Sequence, residues 1–195
     1  MEKKRLVIGI SGASAPIYGI RTLELLQDLP DVETHLVYTR AAVRTISIET
    51  ECSMDYVKSL SDVCYETDDI SASIASGSFR TTGMIIAPCS MSTMSCIAGS
   101  ITKDLLTRAA EVVLKEKRPL VLMCRESPLH LGHLRRMVEL AEMGAHIAPP
   151  IPAFYQKPQT IDDLVNHSIG RALDIFGLEC PWVKRWSNAG SGDTR

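Results

Sequence analysis

Four clusters of polar residues each follow directly on an apolar run, and between them they hold the groups needed to grip a phosphorylated, many-oxygened ligand. Ser11-Gly-Ala-Ser14 follows Arg5-Leu-Val-Ile-Gly-Ile10, and Thr39-Arg40 follows Glu33-Thr-His-Leu-Val-Tyr38. Cys89-Ser-Met-Ser-Thr93 follows Gly83-Met-Ile-Ile-Ala-Pro88, and Arg125-Glu126 follows Pro119-Leu-Val-Leu-Met-Cys124.

The chemistry differs from cluster to cluster. Gly12, Ala13 and Ser14 read either as a phosphate cradle of backbone N–H groups and a hydroxyl at a helix start, or as a tight turn capped by the serine. The turn is neither GxGxxG nor a Walker A motif, so it indicates neither a dinucleotide nor a nucleoside triphosphate. Ser90, Ser92 and Thr93 put three hydroxyls within four residues around Met91. One serine would serve as a cap, whereas three suit a ligand such as a ribityl chain or a flavin edge. Met91 itself reads as core or interface filler. Arg125-Glu126, a charged pair where a buried run surfaces, reads as a structural ion pair or as a cation tuning a carboxylate for proton transfer; the strand end favours the second. Lys115 lies in a basic run, Lys115 to Arg118, at a helix C-terminus, where a solvated face is the default. Tyr155 and Arg171 are not singled out by their surroundings.

The runs imply their own scaffold. Short apolar, β-branched segments bounded by turns read as buried parallel strands at 5–10, 33–38, 83–88, 119–123 and 145–151. Helical spacing follows the first turn through Ile17, Tyr18, Ile20, Leu23 and Leu26, and recurs over 41–61 as one or two helices. Further helices are expected from Cys89 to Gly99, 104–117, 129–143 (ended by Gly144) and 162–176, with a loop over 66–82 and Pro88 stopping its strand. Strands alternating with helices give an α/β domain, a parallel sheet covered on both faces. Its ligand is expected at the carboxyl ends of the strands, where the four clusters fall.

Composition bounds the function. With 195 residues, 45% hydrophobic and 23% charged, the chain is read as one domain over 1–186 with a disordered tail at 187–195. A formal net charge of -2 gives no field to draw nucleic acid or an anionic membrane. No apolar run approaches the roughly 20 residues that span a bilayer, and a cytoplasmic protein is expected. Six cysteines without a CxxC pair, and five histidines without ligand spacing to them, argue against a disulfide framework and against a metal site.

Taken together, Gly9-Ile-Ser-Gly-Ala-Ser14 with Tyr18-Gly19, Ala87 through Thr93, Asp104 through Pro128, Pro152-Ala-Phe-Tyr155 with Pro158-Gln159, and Arg171-Ala-Leu-Asp174 resemble the UbiX-type flavin prenyltransferases. The resemblance spans about residues 5 to 186. It implies a three-layer flavodoxin-like or Rossmann-like fold, FMN as bound substrate, and dimethylallyl phosphate as prenyl donor without a metal. The product would be prenylated FMN for a UbiD-type decarboxylase. Carried onto this chain, Gly12, Ala13, Ser14, Thr39, Ser90, Met91, Ser92, Thr93 and Arg125 would hold FMN. Lys115, Arg125, Tyr155 and Arg171 would hold the prenyl phosphate. Ser14, Glu49 and Glu126 would handle protons, with Glu126 relayed through Ser14 during ring closure, and Trp186 would help close the site. Family members are commonly homododecamers with sites at subunit junctions.

The chain departs from many relatives in one place: Ala15-Pro16 stands where they carry glycine after the Gly-Ala-Ser turn. That form also resembles subunits paired with phenolic or hydroxyarylic acid decarboxylases. Competing expectations are an FMN-dependent decarboxylase of a cysteine-type or aromatic acid substrate, and a non-catalytic flavin carrier. The cysteine-type decarboxylase typically needs a histidine at the flavin, which none of the four clusters contains. The second has no use for Glu49 and Glu126.

Overall fold

The computed structural model describes residues 3–180 and 182. Trp186 and the 187–195 segment lie outside the described residues. Five of the six strands correspond to the apolar runs: β1 (Lys4–Ile10), β2 (Val32–Tyr38), β4 (Gly83–Cys89), β5 (Leu120–Cys124) and β6 (His146–Ile147). The sixth, β3 (Val63–Tyr65), has three residues, too few to leave a pattern in the sequence. The helices are α1 (Ile17–Leu26), α2 (Arg40–Glu49), α3 (Met54–Ser59), α4 (Met91–Ala98), α5 (Leu105–Lys115), α6 (Leu131–Glu142) and α7 (Ile161–Leu173).

All pairings are parallel and the strand order is β3-β2-β1-β4-β5-β6. The chain winds outward from β1 to β3, returns to the other side of β1, and winds outward again to β6. The reversal between β1 and β4 is the topological switch point, where such sheets leave a crevice beyond the strand ends.

Alternation along the strands sorts the core into two layers. Leu6, Ile8, Ile85 and Val121 face α1, α2, α3 and α7, whereas Val7, Met84, Ile86 and Leu122 face α4, α5 and α6. The three-layer α/β expectation is met. Gly19 lets α1 lie directly on the sheet: a Cβ there would come within 2.3 Å of the Ala87 carbonyl oxygen.

Several local expectations change. Pro88 does not stop its strand; β4 runs through it to Cys89, because a register shift between Ile86 and Cys89 accommodates a residue without an N–H. The same shift turns Cys89 toward the α4–α5 layer, with Met84 and Ile86. The strand expected over 145–151 shrinks to two residues, since Pro149 and Pro150 cannot extend a ladder. The 41–61 stretch forms two helices, and Ser53 caps the second by accepting the Tyr56 N–H. The loop at 66–82 contains a 3-10 turn, Ser73–Ala75, and the last helix tightens to 3-10 over Asp174–Phe176.

A polar chain rooted in a buried histidine ties β2 and β3 to that loop. His35 is 2% exposed, with Nε2 2.9 Å from Glu33 Oε1 and Nδ1 2.9 Å from the Tyr65 hydroxyl, which lies 2.7 Å from Ser73 Oγ. A carboxylate only accepts, so Nε2 carries the proton, Tyr65 donates to Nδ1 and Ser73 donates to Tyr65. Burial pushes the imidazole below its usual range, outweighing the opposing pull of Glu33; Arg5 adds to the lowering and Asp62 opposes it. The folded state therefore keeps His35 neutral while the unfolded chain takes up its proton near pH 6.5. Stability from this site is full above that pH and is lost as the pH falls through the lowered folded value. Urea unfolding from pH 8 to 5 should show this loss, and His35→Gln should flatten it; an unchanged slope in the variant would place the proton uptake elsewhere.

Candidate functional site

At the switch point the carboxyl ends of β1 and β4 are joined through one side chain. Ser11, fully buried, donates its hydroxyl to the Pro88 carbonyl (2.8 Å) and accepts the Ser90 N–H (2.7 Å). Its own N–H also reaches the Pro88 carbonyl, at 3.2 Å. Ser90 is thereby fixed as the N-cap of α4, accepting the Thr93 N–H at 3.2 Å and donating to the Thr93 hydroxyl at 3.0 Å.

Above this joint lies a crevice of about 420 Å³ lined by Gly12, Thr39, Arg40, Ala41, Thr67, Asp68, Ser90, Ser92, Thr93, Lys103 and Asp104. It thus gathers Gly12, Thr39, Ser90, Ser92 and Thr93 from three separate stretches of chain. Thr39 caps α2, accepting the Ala42 N–H. A Cβ on Gly12 would lie 2.3 Å from that of Ala41, so only glycine lets the first turn pack against the start of α2. The volume falls in the range of small-molecule sites. Its lining of hydroxyls and two cations, Arg40 and Lys103, fits a polyhydroxylated phosphate monoester such as FMN. Asp104 is already engaged, accepting the N–H and hydroxyl of Thr107 as the cap of α5.

Other expected flavin ligands sit beside the crevice rather than on its lining. The N–H of Ala13 closes the turn on the Ser11 carbonyl at 2.9 Å, so it is spent within the turn. The Met91 side chain is buried in the core, which leaves its backbone as the part that can meet a ligand. Arg125 is exposed and joined to β4 through its N–H to the Cys89 carbonyl, 3.2 Å.

Ser14 is not a helix cap: α1 begins after Pro16, which makes no side-chain capping bond. The Ser14 hydroxyl instead donates to Glu49 Oε2 at 3.0 Å, and the Ala15 N–H donates to the same oxygen at 2.7 Å. Glu126 Oε1 accepts the Ser127 N–H at 3.1 Å. In this geometry the Ser14 hydroxyl is engaged by Glu49, and Glu126 by the N–H of its neighbour Ser127.

The expected prenyl-phosphate residues form no single cluster within one chain. Lys115 ends α5 and pairs with Glu116 at 2.5 Å, while Asp104 at the other end of that helix lines the crevice. Lys115 is the last of the 11 residues of α5, and at roughly 1.5 Å rise per residue the helix separates it from Asp104 by about 16 Å. Tyr155 contacts His167 Nε2 through its hydroxyl at 3.0 Å, and Arg171 pairs with Asp174 at 2.6 Å. Burial and then the nearby Arg171 cation lower the His167 imidazole, which groups Tyr155, His167 and Arg171 on the α7 side of the molecule. His130 and His133 have a local role: His130 caps α6 through Nδ1, and the two rings stack with centroids 3.6 Å apart.

Sequence reasoning missed Thr67, Asp68 and Lys103. The first two reach the crevice on the segment after β3, the strand without a pattern. Lys103 reads in sequence as part of an ordinary loop before a helix.

Ala15 explains the departure at the turn. Its φ of 68° is left-handed, the region that suits glycine, and the N–H bond to Glu49 holds it there. Ala15→Gly should keep stability within about 1 kcal/mol, because relief of strain offsets the entropy of glycine. Ala15→Val should cost about 2 kcal/mol or more, as a β-branched residue tolerates positive φ least. Urea unfolding of the two variants checks both; a valine variant as stable as the parent would refute the strained turn.

Residues 1–173 match the family model described as Flavoprotein. The flavin prenyltransferase UbiX of Escherichia coli strain K12 is 56% identical over 188 residues, 95% of this chain and 100% of that protein. The crystal structure of AnUbiX (PadA1) in complex with FMN and dimethylallyl pyrophosphate superposes with a TM-score of 0.94 at 44% identity, covering 96% of this chain and 99% of that one. A dodecameric FMN-dependent UbiX-like decarboxylase from Escherichia coli O157:H7 superposes with a TM-score of 0.92 at 47% identity, covering 94% and 100%. With this crevice at the switch point and these likenesses over nearly its whole length, the chain belongs to the flavoprotein family, among the UbiX-type flavin prenyltransferases.

Proposed function

We propose that the protein transfers a dimethylallyl group from dimethylallyl phosphate to reduced FMN, yielding prenylated FMN for a UbiD-type decarboxylase. The observation that carries this reading is the switch-point crevice, in which Gly12, Thr39, Ser90, Ser92 and Thr93 converge in a chain 56% identical to a flavin prenyltransferase. Among the described residues no helix is long and apolar enough to cross a membrane. Cys52, Cys64, Cys89, Cys96 and Cys124 are thiols, which suits a reducing compartment, and the cytoplasm is the proposed location.

In this reading the chain's residues have distinct tasks. The crevice hydroxyls and Arg125 orient the flavin. Lys115, Arg125, Tyr155 and Arg171 hold the prenyl phosphate and take up the negative charge that grows on it as the allylic C–O bond breaks. Ser14 with Glu49, and Glu126 at the end of β5, receive and return protons as the new carbon–carbon bonds form. Trp186 is assigned to closing the site. A decarboxylase reading would leave this division of cations and carboxylates unused.

Because Lys115 stands about a helix length from the crevice, the donor site requires more than one copy of the chain. A homododecamer is the assembly proposed, in keeping with the dodecameric relative. The apolar residues that α6 exposes, Leu131, Leu134 and Val138, are available to bury between subunits.

Two measurements test the proposal. Anaerobic incubation with reduced FMN and dimethylallyl phosphate should release inorganic phosphate and a flavin heavier by one five-carbon unit in the mass spectrum. Bound but unmodified FMN would instead indicate a carrier or decarboxylase. Second, Ser14→Ala and Lys115→Ala should each lose most activity, yet recover part of it when co-assembled, since some junctions then combine an intact Ser14 with an intact Lys115. No recovery in mixed assemblies would place both residues in one subunit's site.

A further inference from the structure

The reading above does not use Arg40 and Asp68, which face each other across the crevice. Arg40 is the first residue of α2, where the helix dipole opposes a positive charge, and α2 has no acidic residue in its first turn to compensate. The compensation comes from 28 residues away: the Arg40 guanidinium pairs with the Asp68 carboxylate. Both side chains are open to solvent, 82% and 68% exposed, so the pair contributes little to stability and exchanges partners readily. A cation kept at the wrong end of a helix, for little gain in stability, is a local rule broken in the manner of a functional position.

We propose that Arg40 recognises the phosphate of the flavin and so selects FMN over unphosphorylated riboflavin, while Asp68 holds the guanidinium at the crevice until the phosphate takes the carboxylate's place. The exchange trades a carboxylate for a dianion that the guanidinium grips through two parallel N–H bonds. The surroundings favour it. Thr39 has already satisfied the Ala42 N–H, so α2 needs nothing further from Arg40. Lys103 supplies a second positive charge on the same lining, and Asp104, engaged with Thr107, does not compete for Arg40. Gly12, packed flush against Ala41, makes the first turn and the start of α2 one wall, so a ligand lying along that wall meets the guanidinium at its edge.

This inference rests on the flavin-binding reading of the crevice, and the test separates the two. Titration of the full chain with FMN and with riboflavin, followed by flavin fluorescence or calorimetry, isolates the phosphate because the ligands differ only there. The parent should prefer FMN. Arg40→Gln should weaken FMN by about tenfold or more and leave riboflavin unchanged, which also serves as its folding control. Asp68→Asn should keep or tighten FMN binding, because the competing carboxylate is gone. Equal weakening of both ligands by Arg40→Gln, or no weakening of either, would overturn the role of Arg40. Weaker FMN binding in Asp68→Asn would overturn the exchange. A parent that binds neither flavin would overturn the reading of the crevice itself, and this inference with it.

Discussion

The hydroxyl of Ser11 receives one hydrogen bond and gives one, and in doing so it closes the gap between two strands at the point where the sheet reverses. Pro88 makes this necessary. Lacking an N–H and seated at a register shift, it leaves its carbonyl to be taken by Ser11, while Ser90 must turn its own N–H back toward β1. A buried polar group left without its partner costs about 1–3 kcal/mol, so neither half of the joint is expendable. Everything that makes the crevice follows from it: Ser90 is held as a cap, the cap aims α4, and α4 presents Ser92 and Thr93 beside Gly12.

Much of this was legible in the sequence because buried parallel strands write themselves as unbroken apolar runs. The β1, β4 and β5 runs end in the clusters that the structure brings to one end of the sheet. What the sequence left unread has physical reasons. A three-residue strand such as β3 is too short to show a period, and with it went the route by which Thr67 and Asp68 arrive. The Pro88 carbonyl matters more than its missing N–H, so a residue that reads as a stop signal became a junction. Ser14 has the residue type of a cap, but the left-handed Ala15 turns the chain before α1 begins and frees the hydroxyl for Glu49. A pairing across 35 residues has no local signature.

The residues proposed for the flavin and those proposed for the donor differ in how the fold supplies them. The residues proposed for the flavin gather at one end of one sheet, after β1, β2, β4 and β5. The residues proposed for the donor lie at α5's far end, after β5, and in and before α7. Sequence reading treats a residue as belonging to a chain, so it found Lys115 in a plain basic run and Arg171 in an ordinary helix.

One detail of the Glu49 carboxylate has its own consequence. The Ser14 hydroxyl and the Ala15 N–H both end on Oε2. One oxygen thus anchors the strained turn, and neither of these donors occupies Oε1. A side chain at 49 that keeps one oxygen in that place, glutamine included, keeps an acceptor for both donors, so the turn asks for an atom rather than for a charge. The shape of the first turn is thus settled 34 residues further along the chain.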